Sequence, residues 1–502
     1  MNAVDHTLRE RFGLESLRPL QVKIVSRLLD GAGDALVVMP TGGGKSLCYQ
    51  LPAIELQRRA AEAGGPPGVG LVFSPLIALM EDQVAALKHR GVRAEYVNST
   101  LNKRQREKRY AALARGEIEL IYATPERMEK PPFREALAAV PGGVGLLAVD
   151  EAHCISRWGH DLRPAYTRVG EFRRELGSPR TVALTATATR EVRADIRAVL
   201  GLDDAQMPLF ASAIDRPNLQ LRARDAWDDD EVADRVIACA ARMGGTGIAY
   251  FALIKDLERT TDVLRRRAAR AGLVHEIEIY HGRLDPREKK RVYRRFIESS
   301  PDDPLLLCAT NAFGMGVDKP DIRFICHAQV PGSVEAYFQE VGRAGRDGEP
   351  SVCELLYRQE DLAIQQQFID WQNPSPDLLV QCMSVIEARY AGDGAGHGTF
   401  DADDLRLDVI GKGHAHGRGG GVVEYALITL EKLGAIESAG PAERGSTYRY
   451  VRTLDDEEID ADEIADKRRR DLGRLLEVTR LVKSGDVAGF VRDYFDLEPT
   501  PL

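Results

Sequence analysis

Between Ala35 and Leu184, five short apolar runs alternate with stretches of helical periodicity: ALVVM at 35–39, VGLVF at 69–73, ELIYA at 119–123, VGLLAV at 144–149 and TVAL at 181–184. Runs of four to six residues, separated by helix-length segments, predict a parallel sheet with crossover helices. Each run ends in a polar cluster: PTGGGKS at 40–46, Ser74-Pro75, Thr124-Pro125-Glu126, Asp150-Glu151 and Thr185-Ala186-Thr187. Parallel strands point the same way, so the five clusters share one sheet edge, the edge where such sheets bind ligands.

The first cluster has the chemistry of a phosphate-binding loop. Thr41, Gly42, Gly43 and Gly44 allow backbone N–H groups to turn inward around phosphate oxygens, and the following helix offers its N-terminus. Lys45 reaches the terminal phosphates and Ser46 is placed to ligate Mg2+. The strict pattern has a glycine five residues before Gly44, where this chain has Met39. Asp150 and Glu151 close a buried strand; read alone, the pair also suits an acidic strand end that caps a helix. Beside a phosphate loop on the same sheet edge, one carboxylate holds the metal and the other activates water.

These segments, with others along the chain, resemble the RecQ-family DNA helicases of helicase superfamily two, over about residues 12–357. The resemblance is carried by FGLESLRPLQ at 12–21, MPTGGGKSLCYQLPA at 39–53, SPLIALMEDQV at 74–84, DEAHCISRWGHDLRPAY at 150–166, ALTATAT at 183–189, ATNAFGMGVDKPDIRF at 309–324 and QEVGRAGRDG at 339–348. It implies that Gln21 reads the adenine edge and Arg18 contacts the nucleotide, where Leu14 stands for the family's usual aromatic. It also implies Mg2+ coordination by Asp150, water activation by Glu151, and coupling of the phosphate state to the facing lobe by His153. Residues 155–166 match the family's aromatic-rich loop, which senses single-stranded DNA: Trp158, His160 and Tyr166 supply rings for base stacking and Arg163 a cation, with Leu162 in place of a usual phenylalanine.

A second set of apolar runs, at 246–251, 276–280, 305–309, 324–328 and 352–357, predicts another parallel-sheet lobe, without a phosphate loop of its own. Nucleotide is therefore expected at the seam between lobes. Arg343 and Arg346 lie three apart, so a helical turn would aim both there, Arg346 as the finger that neutralises transition-state charge, with Arg343 and Gln339 assisting. Gly316 and Asp318 are expected to link the nucleotide and DNA sites.

Beyond Tyr357 the family's four zinc cysteines are absent: Cys353 and Cys382 have no CxxC partner, so no structural zinc is expected. His414 and His416, in a glycine-rich stretch, read as loop residues. Residues 400–453 suit a winged helix, with 422–433 as its recognition helix and strands at 435–438 and 447–451, although the wing tip at 441–444 carries no aromatic. The expected fold class is α/β: a first RecA-like lobe at 1–207, a second at 208–357, a helical connector and winged-helix-like domain at 358–453, and a helical tail at 454–502.

Composition bears on partners and location. A net charge of -9 over 502 residues is not that of a generally basic nucleic-acid binder, so any DNA footprint is local. Candidates at 103–109, 265–270 and 287–295 also suit solvated helix faces. No apolar run approaches a membrane span and the N-terminal stretch is too polar for a signal peptide, so a cytoplasmic protein is expected, associated with the nucleoid in a bacterium. The expectation is an ATP- and Mg2+-dependent helicase moving 3′→5′ on single-stranded DNA and opening duplex or branched DNA in repair or recombination. Its rivals are a translocase or annealing factor with weak unwinding, an RNA-directed relative, and a DNA-binding module without turnover.

Overall fold

The computed structural model describes residues 3–30, 33–156, 164–314, 317, 319–390, 398–410, 420–441, 446–455 and 458–501. The chain divides into two compact units, one of Met1–Gln329, Glu335–Tyr357 and Leu481–Leu502, the other of Val330–Val334 and Arg358–Arg480.

Within the first unit, strands β1 (Ala35–Val38), β2 (Val69–Phe73), β3 (Ala94–Val97), β4 (Leu120–Ala123), β5 (Val144–Val149), β6 (Arg180–Thr185) and β7 (Leu209–Ala211) form a parallel sheet in the order 3-4-2-5-6-1-7. Successive side chains alternate between two cores: Leu36, Val38, Leu71, Phe73, Leu147 and Val149 face Phe133, Phe172 and Ile196, whereas Val37, Val72, Leu146 and Ala148 face Ile24, Tyr49 and Met80. Burial on both faces makes the central strands read as unbroken apolar runs. Val38 pairs with Thr185, Phe73 with Val149 and Val149 with Ala183, so the central strands end level. The polar segments that follow them therefore emerge together.

The second sheet holds β8 (Leu219–Asp225), β9 (Thr246–Tyr250), β10 (Glu276–Tyr280), β11 (Leu305–Ala309), β12 (Ile322–His327) and β13 (Ser351–Tyr357), all parallel, in the order 10-11-9-12-13-8. Three strands depart from the sequence expectation. AEYV of β3 is half-buried at Glu95 and Tyr96, and β8 alternates Leu219, Leu221 and Ala223 with Gln220, Arg222 and Arg224. Sheet edges need no continuous apolar run, so a search for runs misses them. The third, β7, pairs with β1 and carries the first lobe past residue 207 to at least Ala211.

In the other unit, helices Pro376–Tyr390, Ala402–Ile410 and Gly420–Lys432 pack with β14 (Thr399–Asp401), β15 (Ile436–Pro441) and β16 (Ser446–Tyr450), an antiparallel sheet in the order 14-16-15. This is a winged-helix-like arrangement. Leu379, Ile386, Leu405, Leu427 and Leu430 form its core, and Phe400 stacks on Tyr390 at 5.0 Å and Tyr448 at 5.9 Å. Tyr448 is a packing residue. Residues 442–445 of the wing tip, His414 and His416 lie outside the described residues, among which no three His, Cys, Asp or Glu converge on a metal position.

The expected tail at 454–502 is not one piece. Leu481 onward belongs with the first unit, where Phe495 is fully buried and Leu497 packs on the first-lobe core. Among the described residues no helix is long and apolar enough to cross a membrane.

Candidate active site

The turn at 41–46 leaves β1 and opens the Leu47–Glu62 helix, with Gly43 N–H bonded to Pro40 O at 3.0 Å. Gly44 has a φ of +82°, and a Cβ there would sit 2.4 Å from Gln21 Nε2. Only glycine suits that position. Gln21, at the start of the Pro19–Leu29 helix, accepts from Arg18 N–H at 2.9 Å through Oε1 and donates to Gly44 O at 3.2 Å through Nε2. Each end of the amide keeps one further donor or acceptor position, enough for a base edge. Arg18 donates to Gly43 O at 3.3 Å. The two N-terminal candidates thus grip the phosphate loop directly.

Lys45 donates to Met39 O at 3.1 Å, which keeps its ammonium folded over the loop. Burial lowers its pKa, opposed by Glu151 and Asp150 and reinforced by Arg346. Asp150 follows β5, is buried, and is pushed up to about 7 by burial and by the charge of Glu151, against the pull of Lys45. Glu151 has φ 48° and ψ 47°, a left-handed conformation that costs a non-glycine residue about 1–3 kcal/mol and is seen where a site demands it. Here it turns the chain from β5 into the short Ala152–Ile155 turn that carries His153. His153 Nδ1 lies 3.0 Å from Thr185 Oγ1 and 3.3 Å from Glu151 Oε2. Because the Thr185 hydroxyl donates to Thr187 O at 2.9 Å, its oxygen is the acceptor for His153. Burial disfavours the imidazolium, but Cys154 and Glu151 outweigh it and lift the pKa to about 10. His153 therefore joins the ends of β5 and β6, a partnership with Thr185 that its sequence spacing did not reveal.

From the second lobe, the Val334–Val341 helix leads into a series of turns at 342–347. This corrects the expectation of a helical turn through Arg343 and Arg346, for the helix stops at Val341. The two guanidinium groups are aimed instead by the loop after β11: Arg343 donates to Gly314 O, and Arg346 to Val317 O at 2.8 Å. The Arg346 stem crosses the seam to Gly42, whose φ is +80° and where a Cβ would lie 3.3 Å from Arg346 Cγ and Cδ. Gln339 is half-buried in the last turn of its helix.

The aromatic-rich loop divides. Trp158, His160 and Arg163 lie outside the described residues, as do Gly316 and Asp318. Tyr166 is described, and it corrects the expectation: its ring is fully buried in the first-lobe core, and its hydroxyl donates to Asp150 O at 3.3 Å. A ring without exposed surface cannot stack on a base. Tyr166 supports the Asp150-Glu151 segment from behind.

Comparison with known proteins agrees with this geometry. Residues 18–195 match the DEAD/DEAH box helicase family and residues 231–348 the helicase conserved C-terminal domain. The chain is 40% identical over 413 residues to the probable ATP-dependent DNA helicase RecS of Bacillus subtilis, covering 82% of this chain and 76% of RecS. It is 38% identical over 364 residues to the ATP-dependent DNA helicase RecQ of the same organism, covering 72% and 57%. It is 36% identical over 374 residues to RecQ of Haemophilus influenzae, covering 74% and 56%. The chain thus spans less than two thirds of either RecQ protein. Among solved structures, the helicase Lhr of Mycobacterium smegmatis bound to ssDNA and AMP-PNP matches with a TM-score of 0.53 at 19% identity, over 90% of this chain and 60% of that one. The helicase MrfA bound to DNA matches at 0.57 and 18% identity, over 91% and 60%. At these identities the likeness is one of fold.

Proposed function

The chain belongs to the RecQ family of ATP-dependent DNA helicases, and from that premise we propose that it hydrolyses ATP at the seam of its two parallel-sheet lobes to move 3′→5′ on single-stranded DNA and open duplex or branched DNA in repair or recombination. The observation that carries this reading is the approach of Arg346, from one lobe, to Gly42 and Lys45 of the other, beside Asp150 and Glu151. Cations from both lobes facing two carboxylates form the charge pattern that suits a triphosphate with its metal ion.

In this reading Gln21 takes the adenine edge with its remaining donor and acceptor positions, and Arg18 steadies the loop that cradles the phosphates. The turn at 41–46 presents N–H groups to phosphate oxygens, and Lys45 leaves its bond to Met39 O for the terminal phosphates. Glu151, held near the seam by its left-handed backbone, takes the proton of the attacking water. Arg346 offsets the charge that grows on the transferred group, a role worth about 10³ to 10⁵ in rate in other nucleoside triphosphatases. Arg343 and Gln339 assist from the same lobe. The hydroxyl of Ser46 and the buried carboxyl of Asp150 are hard oxygen donors that suit Mg2+. Bound there with ATP, that ion would shield the charge of the phosphates.

Trp158, His160 and Arg163 are the proposed DNA-sensing groups of residues 155–166, and a cytoplasmic location goes with this function. The missing CxxC pairs favour one second reading, a DNA-dependent translocase or annealing factor with weak strand separation. The test of the hydrolysis reading is Glu151→Gln in the full chain. It is expected to bind ATP with parental affinity and to lose turnover; hydrolysis at the parental rate would remove Glu151 from the mechanism.

A further inference from the structure

The Val487–Phe495 helix begins at Asp486, whose carboxylate accepts from Gly489 N–H at 2.9 Å, and ends at Asp496 in a left-handed conformation that turns the chain along the first sheet. Thr500 then makes two hydrogen bonds with the edge strand β7, N–H to Ala211 O at 2.8 Å and Oγ1 from Ala211 N–H at 2.9 Å. The buried Arg193, on the Arg190–Leu200 helix, donates to Phe495 O at 3.0 Å and Asp496 O at 3.1 Å. A guanidinium there satisfies carbonyls that a helix end leaves without partners. One face of this segment is therefore anchored to the first lobe.

The opposite face meets the second lobe. The Phe495 ring lies 5.2 Å from that of Phe338, and the Tyr494 hydroxyl donates to Glu335 Oε1 at 2.8 Å. Glu335 is itself buried, and its other oxygen has no hydrogen-bond partner among the described residues, so Tyr494 carries much of the compensation for that carboxylate. Both contacts fall on the Val334–Val341 helix, which carries Gln339 and runs directly into the turns bearing Arg343 and Arg346. On the first-lobe side, the Arg190–Leu200 helix is tied through Asp195 to Ser156 Oγ at 2.7 Å, at the end of the turn that carries His153. The segment thus grips, on each side of the seam, the element that supports the hydrolysis groups.

We infer that residues 486–501 form a strap across the seam, in which Tyr494 and Phe495 are positioning residues that hold Arg346 over the phosphate loop. The strap bonds to the Arg190–Leu200 helix, to β7 and to the Val334–Val341 helix. It sets where the arginine-bearing turns lie by fixing the helix that leads into them. The inference rests on the reading of Arg346 as a hydrolysis group.

The test uses the full chain and the variants Tyr494→Phe, Phe495→Leu, Phe495→Ala and Arg346→Ala, singly and with Arg346→Ala combined with each strap change. The readout is the ratio of affinities for ADP·aluminium fluoride, which mimics the transition state, and for ADP, together with kcat and KM for ATP. Phe495→Ala is expected to lower kcat on the order of tenfold, short of the hundredfold that a 1 Å misplacement can cost, and to lower the affinity ratio by a like factor. Phe495→Leu should recover part of the loss. In the Arg346→Ala background the strap changes should have no further effect on the ratio, since they act through that arginine. Additive losses, or an unchanged ratio in Tyr494→Phe and Phe495→Ala, would overturn the strap. If Phe495→Ala does not fold, Tyr494→Phe, which removes one oxygen, carries the same comparison. A parental rate in Arg346→Ala alone would overturn the hydrolysis reading instead, so the two failures are distinct.

Discussion

Asp150 is a residue whose acid-base chemistry is strongly altered by its surroundings. Its pKa of about 7, raised by burial and by Glu151, means that the folded chain keeps a proton where an unfolded aspartate, with a pKa of about 4, has lost it. Its contribution to stability is therefore complete below about pH 4 and is lost as the pH rises through 7. A bound metal ion competes with the same proton. The Mg2+ concentration that half-saturates ATP turnover is predicted to rise as the pH falls below about 7, approaching tenfold per pH unit; a flat dependence between pH 5.5 and 7, roughly that window, would place the metal elsewhere. The roles proposed for Lys45 and Glu151 were legible from residue type and strand position. That of Tyr166 was not, because an aromatic in a ring-rich stretch looks the same whether it faces solvent or the sheet, and only packing decides.

At the scale of elements, the central strands were legible because burial on both faces leaves them mostly apolar. Edge strands β3 and β8 escaped because half-exposed strands tolerate Glu95, Arg222 and their like, and β7 because three residues make too short a run. The phosphate turn was legible down to its glycines, and its geometry allows a sharp prediction. Gly44→Ala would force a left-handed φ on a residue with a Cβ, costing about 1–2 kcal/mol, and would push Gln21 off the loop. A lowered melting midpoint and weakened ATP binding are expected, and parental values for both would contradict this account of the turn. The strap was not legible at all: VAGFVRDYF reads as an ordinary amphipathic helix, and its partners Glu335 and Arg193 stand 159 and 302 residues away.

At the scale of the molecule, the strap changes how the chain can be dissected. A cut after Tyr357 removes the winged-helix-like unit and, with it, the segment from Leu481 that belongs to the lobes. Such a truncation is predicted to lose ATP turnover as well as strand separation. Replacing Arg358–Arg480 by a flexible linker should spare turnover and impair strand separation. Equal ATPase rates in the two shortened chains would show that the strap is dispensable. The central claim is that one hydrolysis site is assembled from both lobes. Its most direct measurement is DNA-stimulated ATP turnover by the full chain carrying Arg346→Ala, with ATP binding followed in parallel: binding retained and turnover lowered by on the order of a thousandfold is the predicted result, and turnover at the parental rate would contradict it.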